Sequence, residues 1–276
     1  MYKVLDKDTI EMEIVPHIPL SKREFAPTAP WYEIVNAILY KLKTGVQWEY
    51  LPTSSLFSQK VLSWQSVYHH YRKWCRSGTF LDCWTGILKR YRDMFDLSSV
   101  DLDGSHTPAI RGGEAVEYQG RKKGRTTNAL FLTDRQGLPL AMSEPVSGNH
   151  NDLFDIEVQF EVVTATLDRV DIKTQGLFLN ADAGFDSKDF RSACARRDIN
   201  ANICFKKRNG SVDDGDEYFD RDLYDQRYAV ERTNPWIDSF RSLLNRFDTT
   251  IESWKGFNYL SFMVMALKKF KPKKFK

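Results

Sequence analysis

The sequence predicts an α/β fold, a mixed sheet with flanking helices, preceded by a small helical N-terminal domain. Three observations carry that prediction. Apolar residues recur at helical spacing up to about residue 96, the pattern turns to strand-like alternation at Val100, and beyond Leu153 helix and strand patterns take turns. A chain of 276 residues is long enough for two modest domains. The boundary is expected between residues 96 and 97, with a helical domain over 1–96 and a mixed-sheet domain over 97–276.

In the helical part, Thr28-Ala29-Pro30 precedes Trp31, Ile34, Ile38 and Leu42 at helical spacing, and Gly45 closes the segment. A second helix is predicted over Ser58–Arg76, with Val61, Trp64, Val67, Tyr68 and Tyr71 on its apolar face. Its polar face would carry Gln65, His69, Arg72, Lys73 and Arg76. Thr79 is placed to cap a third helix through Leu81, Trp84, Ile87 and Leu88. Three short helices with tight connections are compatible with a helix-turn-helix-like module that binds DNA ends, and equally with a plain supporting bundle.

From Val100 the alternation sets Val100 and Leu102 on one strand face and Asp101 and Asp103 on the other. Ala129–Thr133 reads as a buried strand, Asp134-Arg135-Gln136-Gly137 as a turn, and Leu138–Val146 as its hairpin partner. Asn151 or Asp152 would cap a helix through Leu153, Ile156, Phe160, Val163 and Leu167. Leu177–Ala181 is a strand covered on both faces, Ser187 caps another helix, and Ile199, Ala201, Ile203 and Phe205 follow at period two. A long helix over Tyr224–Phe247 ends the pattern, with a kink or break expected at Pro235. Three strands opening as a meander and then alternating with helices give the strand order of a ribonuclease-H-like fold.

Composition excludes several classes. With 42% hydrophobic and 28% charged residues the chain is an ordinary globular protein rather than a disordered or fibrous one. The longest apolar run, Leu260–Leu267, is far short of the roughly 20 residues that span a bilayer. The N-terminus has no secretory pattern, so the cytoplasm is the expected compartment. Cys75, Cys83, Cys194 and Cys204 form no C-x-x-C pair, and His69, His70, Cys75 and Cys83 fit no familiar metal spacing.

The net charge of +3 is unevenly placed. Residues 211–225 hold seven acids against Arg221 alone, so that segment carries −6 and the remainder +9. The cations cluster at Arg121-Lys122-Lys123-Gly124-Arg125, Lys206-Lys207-Arg208 and Lys268–Lys276. Clustered cations are the footprint of a polyanionic partner, and Arg121, Lys122, Lys123 and Arg125 are the leading candidates for DNA-backbone contacts. The acidic stretch Asp213–Asp222 reads as a solvated loop.

Three acids stand where ligands are expected. Asp103 lies near the end of the first strand, before a glycine that leaves room for a close approach. Asp182 ends the fourth strand, where open α/β sheets place ligands, and Glu231 sits in the last long helix. Phosphodiester cleavage needs an activated oxygen nucleophile and relief of charge on the leaving oxygen. Two divalent ions about 4 Å apart supply both, and Mg²⁺ takes carboxylate oxygens.

The local wording narrows this. Asp103-Gly104-Ser105-His106-Thr107 resembles the first catalytic motif of the DDE transposases of bacterial insertion sequences, and Asn180-Ala181-Asp182-Ala183-Gly184-Phe185-Asp186 resembles their second. Tyr224, Arg227 and Glu231 match their Tyr-Arg-Glu signature. Gly148-Asn149-His150 and the N-terminal Gly45-Val46-Gln47-Trp48 and Trp64-Gln65-Ser66-Val67-Tyr68 are similar to further stretches of the group. The resemblance implies a ribonuclease-H-like core and Mg²⁺ dependence, with Mn²⁺ able to substitute. It also implies cleavage and strand transfer at terminal inverted repeats of double-stranded DNA, by a homodimer on paired ends. It carries over Asp103, Asp182 and Glu231 as catalytic metal ligands, Asp101 being the competitor for the first position. In a continuous helix Tyr224, Arg227 and Glu231 fall within roughly 60° of one another, so Tyr224 and Arg227 are expected to hold DNA beside the metal. Two departures favour an alternative, a transposase-derived DNA-binding protein without catalysis. Asp238 stands where the family has a basic residue, with Arg241 as a possible substitute, and Pro235 follows Glu231 by four positions. A stand-alone nuclease of the same fold is a third reading.

Overall fold

The structure, a computed structural model, describes residues 3–19, 28–205, 219–225 and 228–271. In chain order its helices are α1 (Lys7–Glu13), α2 (Trp31–Thr44), α3 (Thr53–Leu56), α4 (Trp64–Arg76), α5 (Thr79–Arg90), α6 (Ile156–Asp168), α7 (Lys188–Arg196), α8 (Arg221–Asp225), α9 (Tyr228–Asp238), α10 (Arg241–Leu244) and α11 (Ile251–Phe270). The strands are β1 (Val100–Pro108), β2 (Glu117–Gln119), β3 (Gly124–Asp134), β4 (Pro139–Met142), β5 (Val146–Ser147), β6 (Phe178–Ala181) and β7 (Asn200–Ile203). The chain forms two compact units. One comprises Met1–Tyr91, Ala109–Glu114 and Ile237–Lys276, the other Arg92–Pro108 and Ala115–Trp236. The C-terminal segment therefore groups with the helical unit, not with the sheet.

That grouping has a plain cause. α11 is buried on every side, with Trp254, Phe257, Tyr259, Phe262 and Met263 all inside, and such a helix must be enclosed. In the helical unit it packs against α2, α4 and α5. Tyr71 of α4 stacks on Phe257 at 4.5 Å, and its hydroxyl donates to the Ser253 carbonyl at 2.5 Å. α2 buries Ile34, Ile38 and Leu42 and stops at Gly45, whose φ of 69° is the left-handed cap expected of it. α4 starts at Trp64 rather than Ser58, because the Ser63 hydroxyl accepts from the Ser66 amide at 3.3 Å and supplies the cap. Val61 is consequently exposed. Thr79 opens α5 but does not cap it; Gly78 does so at φ 72°. The predicted polar face of α4 is only partly open, since the Arg72 guanidinium turns inward and donates to Thr250 at 2.5 Å and to Ser253. Cys75 and Cys83 are buried core thiols, each pushed up to about 12 by burial, and His70 packs on Trp31 and Trp74.

In the sheet unit the strand path is β2-β3-β1-β6-β7, with β4 and β5 also pairing β3. β1 runs antiparallel to β3 and parallel to β6, and β6 is parallel to β7. An antiparallel meander joined to parallel strands on the far side of β1 is the ribonuclease-H-like arrangement. α6 packs on β4 and β3, and α7 on α6 and β7. Ser187 caps α7 as expected, accepting from the Phe190 amide at 3.3 Å. α6 is entered through Asp155 at φ 47° with no side-chain cap, so neither Asn151 nor Asp152 caps it. The single long helix expected over 224–247 is interrupted at Ser239 and Phe240, between α9 and α10. Pro235 is not the break, because α9 continues through it to Asp238. A proline deletes one ladder bond, and here the flanking turns are held by buried Thr233 and Ile237.

The turn between β3 and β4 locates α9. The Asp134 carboxylate accepts from the amides of Gln136, Leu138 and Asp96 at 3.0, 2.7 and 3.0 Å. The turn's Gly137 carbonyl accepts from the Thr233 hydroxyl at 2.6 Å. Burial raises Asp134 from the usual 3.8 to about 6, outweighing those three amides. Its proton is thus held more tightly folded than unfolded, so the stability it contributes is full below 3.8 and is lost as pH rises through about 6. The expected result is a melting temperature that falls over this window in the wild type and falls less in Asp134→Asn. Equal slopes in thermal melts across the window would remove Asp134 as the cause.

Candidate active site

The site is built on β1 and β6. Asp101 pairs with Asn180 across these parallel strands, and the next positions on the same face are Asp103 and Asp182. Asp103 on β1 and Asp182, the residue after β6, lie toward the same end of these parallel strands, both half-buried. The Asp103 Oδ1 accepts from the Gly104 amide at 3.0 Å, and the Asp182 Oδ1 from the Gly184 amide at 2.6 Å in the turn Ala183–Phe185. Asp101 differs in kind. It is buried, and its Oδ1 accepts from the Asn180 amide at 2.9 Å. Asn202 on β7 extends the row, donating to the Asn180 oxygen at 2.8 Å and to the Asp220 carbonyl at 3.0 Å. A chain of buried side-chain hydrogen bonds thus underlies the carboxylate pair and ties β1, β6 and β7 together. Sequence reading overlooked Asn180 and Asn202, although polar residues at period two inside buried strands were a legible signal.

Behind the site, on the opposite face of β1, Gly104 makes room for a side chain of the protein itself. A Cβ at Gly104 would lie 2.1 Å from the Asp152 Oδ1. That oxygen accepts from the Asn128 amide of β3 at 2.8 Å. The expectation of space for substrate beside Gly104 is corrected here: Asp152 fills it. Nearby, His106 Nδ1 lies 3.2 Å from the Thr126 hydroxyl, and burial lowers its pKa, with Arg121 and Lys122 adding to the effect against the charge of Asp152. Gly148 is as constrained, since a Cβ there would fall 2.0 Å from the Thr126 Oγ1.

Asp103 and Asp182 lie within a match to a known family. Residues 102–261, more than half of the chain, match the family described as DDE superfamily endonuclease. The chain belongs to the DDE superfamily endonucleases. Residues 12–84 of this endonuclease also match the family described as putative transposase of the IS4/5 family, as the insertion-sequence resemblance implied. No curated protein matches the sequence. Among solved structures, the pre-cleavage Mos1 transpososome aligns over 94% of this chain and 84% of its own, at 14% identity and a TM-score of 0.30. The Mos1 strand transfer complex aligns over 93% and 83%, at 13% identity and a TM-score of 0.31. Overlaps that loose carry no argument about this chain.

The remaining predicted residues are placed as follows. Glu231 lies in α9, but its side chain is outside the described residues, as is Arg227. Tyr224 is in α8 and leans on Phe219, ring centroids 5.2 Å apart. The helix face expected to hold Tyr224, Arg227 and Glu231 runs through residues 226–227, which lie outside the described residues. Asp238 ends α9 and is exposed. Arg241 opens α10 in the helical unit, where its Cβ lies 2.8 Å from the place of a Cβ on Gly45. Arg121, Lys122, Lys123 and Arg125 are all exposed at the tip of the β2–β3 hairpin. Lys206-Lys207-Arg208 and the acids from Asp213 to Glu217 lie outside the described residues. Among the described residues, no three His, Cys, Asp or Glu side chains gather as a metal site, and no helix is long and apolar enough to cross a membrane.

Proposed function

We propose that this endonuclease is a transposase that cuts DNA at terminal inverted repeats and joins the freed 3′ end to a target, using Asp103, Asp182 and Glu231 as its metal-holding carboxylates. The reading is supported by the register pair Asp101–Asn180, beyond which Asp103 on β1 and Asp182 after β6 each follow by two positions. The donor set suits Mg²⁺ or Mn²⁺: both described members are half-exposed carboxylates, hard oxygen donors each braced by a backbone amide. When bound, such ions, two in this reading, activate the attacking oxygen and neutralise charge on the leaving one. The protein's own part is positioning. The Asp101–Asn180–Asn202 row fixes the strands that bear two of the ligands, and Glu231 is contributed from α9. In-line transfer then requires the phosphodiester to lie across the sheet end, with Arg227 and Tyr224 gripping it from the signature segment. The protein works as a dimer on paired ends in this reading.

The β2–β3 hairpin supplies the backbone grip. Asp103 pairs with Phe131 on β3, and Arg125 is six residues further along that strand, about 20 Å at strand rise. A duplex seated at the carboxylates would therefore meet the basic tip roughly six base pairs away. Neutralising Arg121, Lys122, Lys123 and Arg125 to Gln should weaken binding to all DNA sequences alike and flatten the dependence of affinity on salt. A salt slope equal to the wild type's would remove the hairpin from the interface.

The deciding assay offers inverted-repeat DNA with Mg²⁺ or Mn²⁺ and follows both nicks and joined products. Cutting with joining is expected. Binding without cutting in either metal would favour the non-catalytic alternative that Asp238 suggests.

A further inference from the structure

We propose that a cleft in the helical unit binds one unpaired nucleotide of DNA, base and phosphate together. The choice of DNA as the source rests on the reading of the chain as a DNA-cutting enzyme. The rest stands on the cleft itself.

The cleft has a volume of about 530 Å³, within the range of small-molecule sites, and it lies wholly in the helical unit. Four aromatic rings line it, those of Trp48, Trp64, Tyr68 and Phe247. Trp48 is a fixed platform: it packs against Tyr71 at 5.3 Å and Phe257 at 6.4 Å, while Tyr68 meets it at 5.1 Å and a tilt of 55°. Phe247 is 51% exposed and Tyr68 36%, large apolar surface for rings that line a cavity rather than a core.

The polar lining suits a phosphodiester. Lys41, Arg72 and Arg111 contribute three cations against Glu49 and Asp248. Arg72 is held in place by the hydroxyls of Thr250 and Ser253, and Lys41 by Ser242 at 3.1 Å, its ammonium 5.8 Å from the Trp48 ring centre. Both cations are thus set in position before any ligand arrives, which lowers the ordering cost of binding. Asp248 is half-buried, and its pKa is raised by that burial against the pull of Lys41, Arg246 and Arg72. It offsets part of that positive charge, so the cleft suits a singly charged phosphodiester better than a multiply charged anion. Aromatic faces beside anchored cations are the elements by which proteins hold single-stranded nucleic acid. A base stacked in a duplex has no open face to offer them.

The test compares binding of the full chain, at one salt concentration, to a short single-stranded oligonucleotide carrying 2-aminopurine and to the fully paired duplex of the same sequence. The wild type should quench the unpaired probe. The exposed double substitution Phe247→Ala with Arg111→Ala should weaken unpaired binding roughly tenfold and change duplex binding by less than about twofold. Tyr68→Leu, also at an exposed position, should act in the same direction and guards against a misfolded double variant. Equal losses on both DNAs, or no loss on either, would overturn the proposal. So would a protein that binds deoxyadenosine monophosphate yet ignores the oligonucleotide. Asp103→Asn should keep the preference for unpaired DNA, so an error in the catalytic assignment would appear in cleavage and leave this ratio untouched.

Discussion

Asp103→Asn and Asp182→Asn should each lower cleavage of inverted-repeat DNA about a thousandfold or more, while affinity for that DNA stays within about twofold. Each substitution keeps the shape of the side chain and the oxygen that accepts from the Gly104 or Gly184 amide. What it removes is the negative charge and half of the hard oxygen donors, so the expected loss lies in the chemical step. Glu231→Gln should match them if α9 contributes the third ligand. Asp101→Ala serves as the contrast. Its carboxyl is buried and accepts from Asn180, so its loss should appear first as about 1–3 kcal/mol of stability. Single-turnover cleavage with saturating Mg²⁺ or Mn²⁺, run beside equilibrium binding, separates these outcomes. An Asp103→Asn or Asp182→Asn protein that cuts at the wild-type rate would remove that residue from the site.

Gly104→Ala should be nearly as damaging, through packing rather than chemistry. The added methyl would sit 2.1 Å from the Asp152 Oδ1 and 2.3 Å from its Cγ, closer than real contacts allow. Either Asp152 leaves the Asn128 amide that holds it at 2.8 Å, or β1 shifts, and with it Asp103 one residue away. A cost of about 1–3 kcal/mol is expected for overpacking of this kind, together with loss of cleavage. Asp152→Ala in the same chain should recover most of the stability, because it removes the atoms that the methyl strikes. The pair forms a double-mutant cycle in which the two changes must be strongly non-additive. Additive losses would mean that Asp152 does not occupy the space beneath Gly104.

Much of the sheet unit was legible in the residues. Alternation at Val100–Asp103 placed the acids on one strand face, and the Asp134–Gly137 turn fell where the structure puts it, because strand periodicity and turn chemistry are local. The misreadings came where local signals compete. Ser58 and Ser63 are both plausible caps, and only the second has an amide three residues on that its hydroxyl meets. Pro235 reads as a breaker, yet the helix crosses it, since neighbouring buried residues hold turns that one missing bond weakens. Asp152 reads as a helix cap and serves instead as a filler beneath β1, a role set by Asn128 and Gly104, which lie 24 and 48 residues before it.

The sequence by itself determined the fold class and the family, because each rests on short-range periodicity or on the wording of a few adjacent residues. Tertiary structure alone decided that Asp101 and Asn180 are register partners, that Asp101 is a buried hydrogen-bond acceptor, and that α11 belongs to the helical unit. Those facts depend on which surfaces come together to bury apolar area and satisfy polar groups. That choice is made between distant segments, and no local pattern encodes it.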